Sequence, residues 1–408
     1  MADLKRSAAA WAVGICDAHC HPTDILTSTP KIAAMKAKVL TIMATRAQDQ
    51  DLVEDLAKKY PSQNRDQIFD QQDSRHVIPS FGWHPWFTYQ IWDDRDTTAA
   101  QFDYRHHLRS VLVPAPDDDK FLDSLPPPLR LTEHLGQTEA RLKRYPFALV
   151  GEIGLDRSFR VPFGPYRSPP DPELKYGRSE EVHTAGSRDG RPLSPYRVSM
   201  EHQKMVFRAQ LELAARHERA VSVHSVAAHG VVFDVLQSLW KGYEKMSKSA
   251  LKRIKKDAMH AIVDAADDDD NQDHSSQAIN GVQVNLPSKP FPPRICMHSY
   301  SGPPEALKQY LAPTVPADIY FSFSSLINFS GKTDDKSTEV IGLIPDDKIL
   351  IESDLHCAGD EMDRLLEQIL RKVCAIKGWQ LDDGARILRR NWEDFVFGKN
   401  TTLAAAAG

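Results

Sequence analysis

Eight short apolar runs, most rich in β-branched residues, recur along this chain: WAVGICDAHCH (11–21), VLTIMATR (39–46), HVIPSFGWHP (76–85), FALVGEIGLD (147–156), AVSVHSV (220–226), RICMHSYSG (294–302), DIYFSFSSLI (318–327) and KILIESD (348–354). Runs of this length that are apolar without alternation suit strands buried on both faces, as in a parallel sheet. Helical patterns lie between several of them. Phe207, Leu211 and Ala214 fall at helical spacing within 201–220, and Met362, Leu365, Leu366, Ile369 and Val373 do so within 361–377, with a shorter helix over 50–60. Eight buried strands with helical crossovers predict an α/β fold, a (β/α)8 TIM barrel with long loop insertions spanning residues 11–398. A doubly wound open sheet is the competing architecture.

Three segments break this rhythm. Residues 157–197 are rich in Pro, Gly, Arg and Ser and read as a long loop after the fourth strand. Residues 240–293 begin as a Lys-rich helix and pass through DDDDNQDHSS, which predicts a partly disordered insertion between strands five and six. The irregular piece around 115–129 extends the crossover after strand three, and 399–408 reads as a flexible tail. Each is a loop decoration, a substrate wall or a partner surface, and composition does not choose.

The formal net charge of -5 excludes a broadly basic nucleic-acid binder, so any grip on phosphate has to be local or supplied by metal ions. Cys16, Cys20, Cys296, Cys357 and Cys374 include no C-x-x-C pair, which fits a reducing, cytoplasmic or nuclear compartment. No apolar run reaches membrane-spanning length, so no membrane partner is expected. The opening MADLKRSAAAWAVGIC has the outline of a leader peptide. It runs directly into DAHCH, and a buried first strand is the better reading.

The chemistry lies at the strand ends. Strand one ends in His19 and His21, strand three in Gly-Trp-His-Pro with His84, strand four carries Glu152, strand five His224, strand six His298 and strand eight Asp354. In a barrel these carboxyl ends converge on one face, where such folds keep their active sites. A single histidine there is commonly structural. Several strands each ending in a metal-competent side chain are not core packing, because each unpaired polar group costs ~1–3 kcal/mol to bury. His19, His21, Glu152, His224, His298 and Asp354 exceed the three protein ligands of a mononuclear catalytic site and fit two metals with Glu152 as the bridge. Asp354 is expected both to ligate and to accept a proton from the attacking water. Alternation along DAHCH puts Asp17, His19 and His21 on one strand face.

The chain resembles the TatD family of metal-dependent deoxyribonucleases, within the amidohydrolase-like barrels. The resemblance rests on D-A-H-C-H (17–21), G-W-H-P (82–85), G-E-I-G-L-D (151–156), Gln203 through Ala214, H-S-Y-S-G (298–302), E-S-D (352–354) and the closing N-W-E-D-F-V-F-G (391–398), in family order. It implies a barrel, two divalent ions (Mg, Mn or Zn) and hydrolysis of phosphodiester bonds in DNA, often from a strand end. The family's ligands fall on His19, His21, Glu152, His224, His298 and Asp354. His84 would contact substrate phosphate or the shell behind the metals, or make a structural hydrogen bond in its turn. Asp17 would orient a ligand histidine or be a plain strand-end residue.

The family usually has an arginine two residues after the strand-five histidine, and this chain has Val226. His229 or an arginine of the 157–197 loop is the expected substitute. Related barrels that hydrolyse amides, lactones or phosphotriesters often bridge their metals with a carbamylated lysine in strand four. That strand holds Glu152 and no lysine here, which favours the nuclease branch. The long insertions resemble a fungal branch, some of whose members partner a subunit of the anaphase-promoting complex. That implies a possible protein partner through the insertions beside, or instead of, catalysis.

Overall fold

The computed structural model describes residues 2–62, 64–69, 74–95, 102–163, 193–246, 289–331 and 334–399. Most of the 157–197 and 240–293 insertions, including the acidic tract, and the tail from residue 400 lie outside the described residues.

The apolar runs become strands, numbered in chain order: β1 Cys16–Cys20, β2 Val39–Met43, β3 His76–Ser80, β4 Val150–Asp156, β5 Val221–Val226, β6 Arg294–Met297, β7 Asp318–Phe323 and β8 Ile349–Ile351. All pair in parallel, in spatial order one to eight, as a ladder of three (β1–β3) and a ladder of five (β4–β8). A single bridge between Ser80 and Leu149 joins β3 to β4. Past the strand ends, Asp354 N–H donates to His19 O (3.0 Å) and His21 N–H to Leu355 O (2.9 Å), joining β8 to β1. The result is a (β/α)8 ring with two seams.

The helices of the ring and its termini are α1 Ala2–Ala12, α2 Ala47–Lys59, α3 Leu131–Arg144, α4 Met200–Arg216, α5 His229–Trp240, α6 Pro304–Tyr310, α7 Asp334–Leu343, α8 Asp360–Lys377 and α9 Leu381–Phe397, with shorter ones in the loops, Tyr104–Val111 among them. Helices α2 to α8 follow β2 to β8 in turn, while β1 is followed by 3₁₀ turns over Pro22–Asp24 and Leu26–Ala34. α8 ends at Gly378, whose φ of +70° supplies the left-handed turn that closes a helix at no Cβ cost. α5 stops at Trp240, and most of the Lys-rich stretch expected to be helical after it lies outside the described residues.

Two terminal helices depart from the sequence reading. Trp11, expected in the first strand, lies in α1, and β1 starts only at Cys16. Glu367 of α8 anchors α1 by accepting from Ser7 Oγ (2.8 Å) and Trp11 Nε1 (2.9 Å). The closing N-W-E-D-F-V-F element is the second half of α9. Its Trp392, Phe395 and Val396 pack with Cys16, Val39, Ile78, Leu149, Cys296, Tyr320 and Leu350, and Trp392 Nε1 donates to Thr41 Oγ1 (3.0 Å). Cys16, Val39 and Leu149 sit at or just before strand starts and the others no more than two residues in, so α9 plugs that end of the ring and leaves the carboxyl ends to the cavity.

The crossover after β3 is more than decoration. Its Tyr89, Ile91, Leu108, Phe121 and Leu125 form a second core with Trp83 and with Val161 and Val198 from the two ends of the post-β4 loop. Leu112–Val113 pairs antiparallel with Arg197–Val198, tying the two insertions together beside the cavity.

Candidate metal centre

Glu152 is buried in the middle of β4, and its two oxygens face different histidines. Oε2 lies 3.5 Å from His19 Nε2 and 3.3 Å from His21 Nε2. Oε1 lies 2.8 Å from His224 Nδ1, 2.8 Å from His298 Nε2 and 3.1 Å from His84 Nε2. Asp354 Oδ1 completes the first side, 3.8 Å from His19 Nε2 and 3.7 Å from His21 Nε2. All six expected ligands therefore come together, contributed by β1, β4 and β5 and by the ends of β6 and β8. All but the fully buried His19 line a cavity of about 350 Å³ at the carboxyl end of the ring.

The donor set can be tested against a cation. His19 Nε2 and His21 Nε2 face each other at 3.0 Å, and His224 Nδ1 and His298 Nε2 at 3.3 Å. Ligands of a tetrahedral ion at ~2.0–2.1 Å have edges of about 3.3 Å. Imidazole nitrogens aimed at one another across such an edge, with a carboxylate oxygen at the third corner, have the spacing of a coordination shell. The groups His19, His21, Glu152 and His19, His298, Asp354 each bring their ligand atoms within 4.8 Å of one another, as do His84, Glu152 and His224. The residues fit a divalent cation.

Behind these atoms lies a second set of contacts. His19 Nδ1 meets Ser222 Oγ at 2.8 Å, which leaves Nε2 as the lone-pair atom facing the cavity when the Nδ1 proton is donated to serine. His224 Nε2 meets Asp156 Oδ2 at 3.0 Å, and that oxygen also accepts from Trp86 Nε1 at 2.6 Å. Asp156 Oδ1 accepts from Ser158 N (2.6 Å) and Phe159 N (2.9 Å). Sequence reasoning quoted Asp156 within G-E-I-G-L-D and gave it no role. The signal was there: residues 152 and 156 are four apart on a strand, so their side chains share a face. Glu352 was missed in the same way. Fully buried, it accepts from Ser299 N (2.7 Å) and Ser299 Oγ (2.5 Å), fixing the turn that follows His298.

The roles of Asp17 and His84, open at the level of sequence, follow from their contacts. Asp17 does not turn toward the imidazoles. Asp17 pairs with Leu40 but Cys20 with Ile42, so three steps on β1 match two on β2, and this bulge breaks the alternation that would share one face. Its carboxylate accepts from Ser353 N (3.0 Å), Ser353 Oγ (2.6 Å) and the backbone N of His19 (3.1 Å), so it ties β1 to the segment carrying Asp354. His84 Nδ1 accepts from Trp86 N (3.2 Å), which puts the proton of the neutral ring on Nε2, donating to Glu152 Oε1.

The electrostatics follow from crowding. Burial and the neighbouring His298 push His19 down to about 3, and burial takes His84 down to about 4 against the pull of Glu152. Burial also opposes charge on Glu152, but His84, His298 and His19 hold it well below the usual carboxylate range. For His21 burial is outweighed by Glu152, which lifts it to about 9. Asp354 is raised to about 6 by burial, with Glu352 adding to the rise and His298 opposing it. Asp354 and Ser299 both sit at positive φ (+53° and +40°), a conformation that costs a non-glycine residue ~1–3 kcal/mol and clusters at functional sites.

The sequence profile described as TatD related DNase matches residues 16–396. Cut9-interacting protein scn1 of Schizosaccharomyces pombe is 36% identical over 384 residues, 94% of this chain and 98% of that one. An uncharacterized deoxyribonuclease of Saccharomyces cerevisiae is 23% identical over 348 residues, 83% of each chain. The crystal structure of an uncharacterized amidohydrolase from Saccharomyces cerevisiae shares the fold, with a TM-score of 0.50 at 13% identity over 93% of each chain. With the profile spanning every strand of the ring and a relative this similar along nearly its whole length, the chain belongs to the TatD related DNase family of metal-dependent hydrolases.

Proposed function

We propose that this protein is a two-metal phosphodiesterase that hydrolyses DNA, as an exonuclease. The observation that carries the reading is the division of imidazoles between the two oxygens of Glu152, with His19 and His21 on one and His224 and His298 on the other. A bridging carboxylate needs that division, and a single-metal site does not. His19, His21 and Asp354 would hold one ion and His224 and His298 the other, with Glu152 shared. Bound there, two divalent ions would neutralise phosphate charge and acidify a water. Asp354, the carboxylate at the mouth of the cavity, would accept that water's proton. His84 keeps Glu152 Oε1 in place by donating from Nε2, and Asp156 keeps the His224 ring turned so that Nδ1 faces the cavity. Cys16, Cys20, Cys296 and Cys374, buried thiols, support a reducing cytoplasmic or nuclear setting. No helix of the described residues is long and apolar enough to cross a membrane.

A second reading, a protein-interaction role, is favoured by one observation: the relative that is 36% identical is named for interaction with Cut9. The insertions after β4 and β5 are where such a partner would dock. One experiment separates the two. End-labelled single-stranded DNA is incubated with purified protein and Mg, Mn or Zn, beside Asp354→Ala and a chelator control. Metal-dependent cleavage absent from the variant supports the nuclease, and its product ladder reads strand polarity. Two bound ions per chain with no cleavage under any metal would defeat the DNA reading and leave the interaction role.

A further inference from the structure

The cavity above the metal centre is lined by several carboxylates and imidazoles but, among the described residues, by one Lys or Arg side chain only: Arg46. Arg46 follows β2, on the side of the ring away from β5, and is 2% exposed. Three features hold it there. Its guanidinium carbon stands 4.6 Å over the Phe87 ring, a cation–π contact that orients the planar group. Its backbone N donates to Asp49 Oδ1 (3.0 Å), and Asp49 Oδ2 takes Thr45 N (2.9 Å) and Thr45 Oγ1 (2.6 Å). The same short segment is tied to the site itself, since Thr45 O accepts from His84 N (2.8 Å) and Ala44 O from Glu152 N (3.1 Å). The fixed cation and the bridging carboxylate thus share one rigid frame.

Val226, at the place where an arginine was expected, faces the cavity with no charge and is 37% exposed. His229 is no substitute. It stands behind the lining, bonded to Ser225 Oγ (3.0 Å) and Ser301 Oγ (3.5 Å), which themselves face the cavity. We propose that Arg46 is the phosphate-binding residue of this enzyme, its guanidinium fork taking two non-bridging oxygens of the substrate phosphate from the β2 side of the cavity. The proposal rests on the phosphodiesterase reading for its substrate. It deepens that reading by moving the fixed positive charge from β5 to β2, so the substrate strand is gripped from the opposite side of the mouth.

The test uses full-length, metal-loaded protein as wild type, Arg46→Gln and Arg46→Lys, with bound metal measured in each. Inorganic phosphate binding is followed by titration calorimetry and hydrolysis of bis(4-nitrophenyl) phosphate by steady-state kinetics. Loss of a charge-assisted pair predicts that Arg46→Gln raises the phosphate Kd and the diester KM by about tenfold or more at unchanged metal content, with part of the loss recovered in Arg46→Lys. An unchanged phosphate Kd in Arg46→Gln overturns the proposal, and so does a wild type that binds no phosphate. A wild type that binds phosphate through Arg46 yet cleaves no diester upholds the grip and defeats the phosphodiesterase reading instead. If Arg46→Gln does not fold, Arg46→Lys decides: a weaker phosphate affinity than wild type supports the fork, and an equal one refutes it.

Discussion

Replacing Asp156 with asparagine should cost the protein a metal without touching a ligand. The carboxylate of Asp156 has both oxygens committed: Oδ1 to the amides of Ser158 and Phe159, Oδ2 to Trp86 Nε1 and His224 Nε2. The two backbone amides require an acceptor, so the asparagine oxygen must take the Oδ1 position and its NH2 the other. That NH2 then faces the indole N–H, donor against donor, and can satisfy His224 only by donating to Nε2. The ring proton is driven to Nδ1, the atom 2.8 Å from Glu152 and the one proposed to ligate. A wrong tautomer of this kind costs about 10–100-fold in metal affinity. The orphaned indole costs a further ~1–3 kcal/mol of stability. The assay is metal content after dialysis against graded chelator, with chemical denaturation in parallel. Adding Trp86→Phe removes the stranded donor, so the double variant should regain stability while its metal defect persists. An Asp156→Asn protein that holds both ions as tightly as wild type would refute the argument, because nothing else in the site changes shape.

Three further outcomes are expected. His134, buried on α3 beside Gln210, is pushed by burial from 6.5 to about 4, so below pH 6.5 the unfolded chain binds a proton that the folded one refuses, and stability falls as pH falls through that window. Between pH 7 and 5 this amounts to about 2 kcal/mol, and His134→Gln should lose that much less in denaturant titrations at the two pH values; an unaltered slope would count against it. Gly154 has φ +148° and its missing Cβ would lie 2.0 Å from His224 O, so Gly154→Ala must push β5 away. A loss of at least ~3 kcal/mol is expected with weakened metal binding, and a melting temperature close to wild type would contradict it. Asp354 acts as a base only when ionised, so activity should rise with pH along a limb set at or below about 6, since bound cations can only lower that value. A pH–rate limb above 7 that survives Asp354→Asn would exclude it as the base.

Much of this site can be read from strand ends alone. His19, His21, Glu152, His224, His298 and Asp354 were identifiable because each lies in or just after an apolar run, toward its carboxyl end, and a parallel ring gathers such ends on one face. What could not be read depends on register. Asp17 looked like a third member of the DAHCH face, and only the bulge against β2 shows that it faces Ser353. Asp156 and Glu352 stand in motifs whose neighbours draw attention first, and their partners, His224 and Ser299, are distant in sequence. Arg46 carries no motif; it becomes visible only when β2 is set beside β3 and the cavity wall can be traced. α9 was missed because its charged residues alternate with a buried stripe that has meaning only against the underside of the ring.

The seam between β8 and β1 sets the order of assembly. Ser353 N–H and Asp17 Oδ1 are 336 positions apart, and the bonds from Asp354 to His19 and from His21 to Leu355 are nearly as long in range. The residues that lock DAHCH follow it along the chain by that separation. Until they dock, the histidines lack Asp354 and the strap that fixes β1, and the entropy of so long a loop has still to be overcome. Closure of the proposed metal site therefore waits for β8 to reach β1. A truncation before β8 would keep most of the proposed ligands without the seam that fixes them, so its metal content after dialysis should fall although those histidines are still present.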